Sequence, residues 1–501
     1  MKTESKSMLR LAMYCIIVVL AIGDALLLFL SQFAPIPEFL ANILTFIVLF
    51  LSLCLLIWRN NTPAKKVLAF ISIPVIMSLW GAFSSLLPYW NSKMLNLMLN
   101  KPIPFSKPLN ERISTSDAIT DISFAINRMT KVHPKMTDNG HCLESKVLKQ
   151  FKDLYSGLDS IETVELQRFL QRCVSSLNDE HTVVFSRRPT GAILPRSYLL
   201  QNIIEIEGEN FDCFLEQKRS LYSLENPSFL KKRVLQDLRS VDGTSFLGLS
   251  VQNGIHIVLR DTTGRIEKTL TVEDYDHTYT RSSTYLRDSN FISYSVQPAN
   301  NLAIMRLDAC SYYTAKQKRY VDESFHSFFR LISENGVQHL ILDLRVNRGG
   351  TPEIAKEFIR YLKVEKYKTR SARIRIGRFL SPLGFSSILN QKHRQYLFSG
   401  KLYVLTSNQT FSAAVDFANY IQDNMIGKII GESPDNSVNG YGNISLFLLP
   451  NSHLYFSVST TLFCRANPAI ESDYIIPDTF CRASDAEVFV HQLIAAEPNS
   501  E

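Results

Sequence analysis

Ser412 stands where a strand gives way to a helix. Residues 402–405 form an apolar run that reads as a buried strand, and Ala413, Phe417, Tyr420, Ile421 and Asn424 recur at helical spacing. A serine at that junction meets unpaired backbone N–H groups and the positive end of the helix dipole. This setting suits a nucleophile whose intermediate carries an oxyanion. Taken alone, it suits better a serine that only caps the helix. A second strand–turn–helix unit upstream bears on the choice. Residues 340–346 read as another buried strand, and the pair Gly349-Gly350 follows. Thr351 then reads as an N-cap, Pro352 as the first helical residue, and Ile354, Phe358 and Tyr361 as the apolar stripe. Adjacent glycines let backbone amides approach a ligand with no side chain in the way. The Gly-x-x-x-x-Gly-Lys pattern of a phosphate loop is absent, so the glycines read as N–H donors to an oxyanion.

Further segments extend the pattern. Asp343-Leu344-Arg345-Val346-Asn347-Arg348-Gly349-Gly350 is followed by Thr410-Phe411-Ser412-Ala413-Ala414, then Ile429-Ile430-Gly431-Glu432. After these come Leu449-Pro450-Asn451-Ser452 and Glu471-Ser472-Asp473-Tyr474-Ile475-Ile476-Pro477-Asp478. In this order they resemble the C-terminal-processing (tail-specific) serine peptidase family. The resemblance implies a ClpP/crotonase-like α/β peptidase domain, Ser412 as nucleophile, and protein or peptide substrates. It implies no cofactor and no metal.

One branch of that family uses a lysine base inside a Gly-Lys-Gly turn about two dozen residues after the serine. Here residues 432–442 hold no lysine, and Lys428 is the only nearby one. A lysine base needs burial to lower its pKa, and nothing in the sequence buries Lys428. The other branch, similar to the tricorn core and retinoid-binding-protein-like members, carries Leu-x-Asp-x-His-Thr. This chain has Leu177-Asn178-Asp179-Glu180-His181-Thr182, which assigns the general base to His181. Histidine suits the task because its ordinary pKa of roughly 6.5 lets it accept and return a proton near neutrality. The same resemblance assigns Glu471 as the third catalytic member. Glu180, beside the histidine, is an alternative acid. The Gly-x-Gly usual after the glutamate is replaced here by Ser472-Asp473-Tyr474. The oxyanion hole is assigned to the N–H of Ala413 with that of Gly349 or Gly350. Asp343, Arg345 and Asn347 are read as shaping the glycine turn, with Arg345 alternatively binding a substrate carboxylate.

The N-terminal part has a different composition. Residues 11–37 contain a single charge, Asp24, while residues 39–58 and 67–92 contain none. Each run matches the roughly 20 apolar residues needed to cross a bilayer. The expectation is three transmembrane helices, at about 11–33, 39–58 and 67–90, within an anchor over residues 1–92. Lys2, Lys6 and Arg10 precede the first span, and Arg59, Lys65 and Lys66 separate the second from the third. The positive-inside rule then puts the N-terminus in the cytoplasm and the catalytic domain outside, as a multi-pass protein of the inner or plasma membrane. Asp24 would face another helix or a partner.

The remaining organisation reads as a linker (93–115), a helical region carrying the His motif (116–190), a strand-rich, faintly PDZ-like insert (191–300) and the peptidase core (301–490). His133-Pro134 also resembles the N-terminal helical region of the histidine-using branch, but it is read first as a proline-made helix terminus. Six of the eight cysteines fall after residue 92, a number that permits disulfides in an oxidising space. No Cys/His cluster with zinc spacing is visible. A formal charge of +7 over 501 residues gives no warrant for nucleic-acid binding. The expected function is that of a membrane-anchored serine endopeptidase acting outside the cytoplasm through an acyl-enzyme on Ser412. The alternatives are a binding protein on the same fold and a partner-docking domain serving the membrane segment.

Overall fold

In a computed structural model of the chain, the described residues are 105–496 apart from short internal segments at 137–139, 188–191, 196–199, 262–263, 277–290, 313, 377–378, 381–386, 394 and 435. The three-span anchor and the multi-pass membrane location drawn from it do not stand on this structure. Among the described residues no helix is long and apolar enough to cross a membrane, and the runs from which the spans were read, with Asp24, lie outside the described residues. The longest described helix, at 20 residues, carries Lys316, Lys318, Arg319, Asp322, Glu323 and Arg330, and so has only one apolar face.

The first region contains β1 (Arg112–Ser114), α1 (Thr115–Val132), α2 (Gly140–Leu154), β2 (Ser160–Glu162), α3 (Thr163–Ser175) and β3 (Val183–Phe185). Ala118, Ile122, Ala125, Ile126 and Met129 recur at helical spacing along α1 and are buried. Ser114 caps the helix by accepting from the N–H of Asp117.

The second region combines β4 (Ile203–Ile206), β5 (Glu209–Asn210), α4 (Phe211–Lys218), α5 (Leu230–Asp237), α6 (Val241–Leu247), β6 (Ile255–Asp261) and β7 (Gly264–Leu270). Its sheet has the order β5-β4-β6-β7, and its helices share a separate apolar cluster with it.

The third region runs through β8 (Ile292–Gln297), β9 (Leu302–Leu307), α7 (Ala315–Glu334), β10 (His339–Asp343), α8 (Glu353–Ile359), β11 (Lys366–Lys368), β12 (Ser371–Ile376), β13 (Phe379–Leu380), β14 (Ser387–Leu389), β15 (Lys401–Thr406), α9 (Ala413–Asp423), β16 (Lys428–Gly431), β17 (Gly440–Leu448), β18 (Tyr455–Cys464), β19 (Thr479–Phe480) and α10 (Ala486–Ala495). The main sheet has the order β19-β16-β15-β10-β9-β8, parallel from β9 to β19 with β8 antiparallel at one edge. Leu340 and Leu342 face the helices α7, α8 and α9, while Ile341 faces α10. Both faces of β10 are therefore covered, which is why it reads as an unbroken apolar run. A second, antiparallel sheet runs β13-β12-β18-β17, and β3 from the first region pairs with β18. That pairing carries the histidine motif into the core. The hairpin at residues 449–452 also docks on the first region, where Asp121 of α1 accepts from the N–H groups of Asn451 (2.9 Å) and Ser452 (2.8 Å).

Candidate active site

Two parallel strands, β10 and β15, lie side by side and end in adjacent turns. In the first turn Asn347 acts as a clasp. Its Nδ2 donates to the carbonyl of Leu307 (2.8 Å) and its Oδ1 accepts from the N–H of Gly349 (2.9 Å). Its carbonyl accepts from the N–H of Phe411 (3.0 Å), tying this turn to the one that carries Ser412. Both glycines are structurally required. A Cβ on Gly349 would lie 2.6 Å from the Phe411 oxygen and 2.7 Å from the Ser412 Cβ; one on Gly350 would lie 2.2 Å from the Cys310 oxygen. Their φ angles are +89° and +145°. Arg345 is engaged elsewhere. It makes a paired contact with Asp343 (2.9 and 2.7 Å) and reaches the Ala483 carbonyl and Glu487 near α10. Its alternative role with a substrate carboxylate therefore has no free guanidinium behind it. The helix after this turn starts one residue later than its spacing suggests, with Pro352 rather than Thr351 at the N-cap.

Ser412 occupies the N-cap position of α9, yet its side chain makes no capping bond. Its backbone has φ 53° and ψ −125°, a region that non-glycine residues enter only at a cost of about 1–3 kcal/mol. Its N–H donates to Oδ1 of Asn436 (2.7 Å). The capping reading thus loses its hydrogen bond, and the hydroxyl is left available. Of the three N–H groups assigned to an oxyanion hole, that of Gly349 is spent on Asn347. Those of Gly350 and Ala413 have no partner among the described residues, and both residues line the cavity beside Ser412.

His181 lines the same cavity, of about 140 Å³, with Arg370, Asp416, Tyr420, Asn436 and Tyr441. Its ring stacks on Phe411, the residue before the serine, with centroids 5.1 Å apart. Its backbone is fixed by β18, where Ser457 Oγ donates to the His181 carbonyl (2.7 Å) and Ser459 N–H donates to Thr182 Oγ1 (3.0 Å). Among the described residues no hydrogen bond joins the Ser412 hydroxyl to His181, a looseness common in sites without substrate. Burial holds the imidazole below its ordinary pKa against the pull of Asp179, with Arg370 and Arg233 adding to the depression. A neutral imidazole is the form that accepts a proton.

Two carboxylates flank the ring. His181 Nδ1 lies 3.8 Å from Asp179 Oδ1 and 4.0 Å from Glu225 Oε1. Asp179 is fully buried and heavily bonded. Its Oδ1 accepts from the His181 N–H (2.9 Å), and its Oδ2 pairs with His133 Nε2 (3.1 Å) and accepts from Thr182. Burial alone would raise this carboxyl, but the His133 bond, the neighbouring His181 and Thr182 outweigh it and hold it at about 2. Glu225 comes from the loop before α5, in the second region. Its Oε2 accepts from the Ser437 N–H (2.7 Å). Burial, reinforced by the charge of Glu180 and weakly by Asp179, pushes it up to about 8. Asp179, His181 and Glu225 have ligand-type atoms within 4.8 Å of one another. Both oxygens of Asp179 are already committed to protein donors, so this donor set fits a hydrogen-bonded network better than a metal centre.

The other expected acids lie elsewhere. Glu471 is exposed on its loop and is not among the cavity-lining residues. The three residues that replace the usual Gly-x-Gly turn the loop to another purpose. Val438 N–H donates to the Asp473 carbonyl (2.7 Å), Asn439 reaches the Asp473 side chain (2.8 Å), and Tyr474 Oη donates to the Glu225 carbonyl (2.9 Å). Glu180 is ion-paired with Arg233 of α5. Lys428 is exposed at the start of β16. The residues that sequence reasoning passed over are His133, read as a mere helix end, and Glu225, Asn436 and Ser437. The His-Pro pair was the only local signal among them. All six described cysteines are free, and burial pushes the Cys310 thiol up to about 12.

Residues 301–480 match the sequence model of peptidase family S41. No curated protein matches the chain. Among solved structures the chain is similar to mature CPAF complexed with lactacystin, at 15% identity and a TM-score of 0.56, covering 76% of this chain and 99% of that one. Mature CPAF alone gives 14% identity and a TM-score of 0.52, covering 76% and 96%. At such identities the likeness speaks for the fold alone. A photosystem II D1 C-terminal processing protease is also similar, at 14% identity over 76% of this chain and 98% of that one, but its TM-score of 0.42 carries no argument.

Proposed function

We propose that this chain, a serine-type peptidase whose residues 301–480 belong to peptidase family S41, hydrolyses peptide bonds through an acyl-enzyme on Ser412 with His181 as general base. The observation that carries this reading is Ser412 itself. It sits at a helix N-cap without capping, in a strained backbone, on a cavity that His181 also lines. His181 takes the hydroxyl proton as Ser412 Oγ attacks the carbonyl carbon of a protein or peptide substrate. The N–H groups of Ala413 and Gly350 hold the resulting oxyanion. Collapse of the intermediate breaks the C–N bond, and the imidazolium gives its proton to the leaving amine. Water then attacks the ester, loses a proton to His181, and releases the acid product with Ser412 restored.

The test is fluorophosphonate labelling of the full chain, wild type beside Ser412→Ala and His181→Ala. Label on the wild type that disappears in both variants supports the assignment. Label that survives His181→Ala removes His181 as the base. A folded wild type that takes no label removes the activated serine.

A further inference from the structure

Two buried polar atoms beside the proposed base lack partners: His181 Nδ1 and Glu225 Oε1. They face each other at 4.0 Å, and the Glu225 side chain is only 4% exposed. A buried acceptor and a buried ring nitrogen left unsatisfied together are energetically unfavourable, and a shift of about 1 Å would join them in a hydrogen bond. Asp179 is a poorer mate for Nδ1. Its Oδ1 already accepts from the His181 backbone and its Oδ2 from Thr182, with His133 on the far side. We propose that Glu225, reached from the second region, is the carboxylate that accepts the Nδ1–H of His181 and so orients the ring with Nε2 towards Ser412. Glu225 then fills the place that the resemblance gave to Glu471. This inference rests on His181 being the base. Glu225 acts through the imidazole, so it is a positioning residue.

The surroundings suit that role. Ser437 N–H fixes Oε2 at 2.7 Å, leaving Oε1 aimed at the ring. Tyr474 Oη holds the Glu225 carbonyl, so the loop that displaced Glu471 braces its replacement. The neighbouring Asn436 accepts from the N–H of Ser412, and one short segment therefore links acid and nucleophile. The charged and titratable groups around the pair are Asp179, Glu180, His133, Arg233 and Arg370, with the Tyr474 hydroxyl. Because burial raises Glu225 to about 8, its acceptor form fills in as pH climbs through that value.

The experiment measures fluorophosphonate labelling rates of the full chain between pH 5.5 and about 9.5, for wild type, Glu225→Gln, Glu225→Ala, Glu471→Gln and His181→Ala. Expected is a wild-type rate that rises through about pH 8, and a loss of roughly 100-fold or more at the alkaline plateau in Glu225→Gln. Glu225→Gln should also lose the alkaline rise, a change that a purely structural role would not produce. Glu471→Gln should stay within about twofold of wild type, since it displaces no group of this network. Thermal melts select folded variants, and Glu225→Gln keeps the acceptor for Ser437 if Glu225→Ala fails to fold. Wild-type rates in Glu225→Gln, or a large loss in Glu471→Gln instead, overturn the proposal. Loss of label on EDTA treatment overturns it too, in favour of a metal among the same groups. If His181→Ala labels normally, the base assignment itself fails. If His181→Ala is silent while Glu225→Gln labels normally, only the role of Glu225 fails.

Discussion

The proposed nucleophile half and the proposed base half of this site are built in opposite ways. Ser412, Ala413, Gly349 and Gly350 come from two neighbouring strand–turn–helix units whose strands, β10 and β15, are parallel partners in the main sheet, and backbone geometry sets their positions. The base half gathers His133 from the end of α1, Asp179 and His181 from the turn before β3, Glu225 from the second region, and Asn436 and Ser437 from the loop after β16. The first half depends on steric exclusion around two glycines. The second depends on buried charges and hydrogen bonds among remote segments. Damage to the first should therefore be abrupt and nearly independent of pH, whereas damage to the second should be graded and pH-dependent.

Gly350→Ala is the harshest test of that contrast. Its Cβ would lie 2.2 Å from the Cys310 oxygen, so the turn must open and its N–H swing away. Labelling should fall about 1,000-fold at every pH, from loss of one oxyanion donor plus misplacement of Ser412. A loss of less than tenfold would mean that Gly350 is no donor.

His133→Ala comes next. It strips Asp179 of its buried partner and should lower unfolding stability by about 3–5 kcal/mol in denaturant titrations. The pH dependence carries a sign. Asp179 is held at about 2, below its ordinary 3.8, so its stabilisation is complete above the ordinary value and lost as pH falls through the folded one. The variant should lose part of that acid-side limb.

Glu225→Gln should instead be the more stable protein in base. Folding raises Glu225 from its ordinary 4.5 to about 8, so the wild type forfeits stability between those values while the glutamine does not. The two should melt alike near pH 4 and differ by roughly 4–5 kcal/mol above pH 8. Equal melts throughout would show that Glu225 is not desolvated. The smallest effect belongs to Lys428→Ala, an exposed change that should leave labelling and stability within about 0.5 kcal/mol of wild type.

The same division governs what could be read in advance. The strands at 340–346 and 402–405 and the helices after them were legible because apolar runs and turn residues are local signals. β10 ends at Asp343, earlier than its apolar run, because the Arg345 N–H turns back onto the Asp343 carboxylate. The motif around His181 was legible as well. Its carboxylate partner was not, since nothing local to Glu225 sets it apart from any loop glutamate. The assignment of Glu471 followed a motif of the resembled family, and Ser472-Asp473-Tyr474 in this loop bonds elsewhere, to Asn439 and Glu225. The three membrane spans were read from composition in residues outside those described, and no described helix supports them.

The sequence by itself determined the apolar strands at 340–346 and 402–405, the glycine turn, the serine at the helix start and the motif around His181. Each of these is written in contiguous residues whose periodicity, φ requirements or order suffice to identify them. Only the tertiary structure decided that Ser412 does not cap its helix, that the Gly349 N–H is spent on Asn347, and that Asp179 and Glu225 flank the imidazole with His133 bonded behind Asp179. Those outcomes depend on which hydrogen bonds close and which charges lose water when distant segments meet, and that information exists only once the chain has folded.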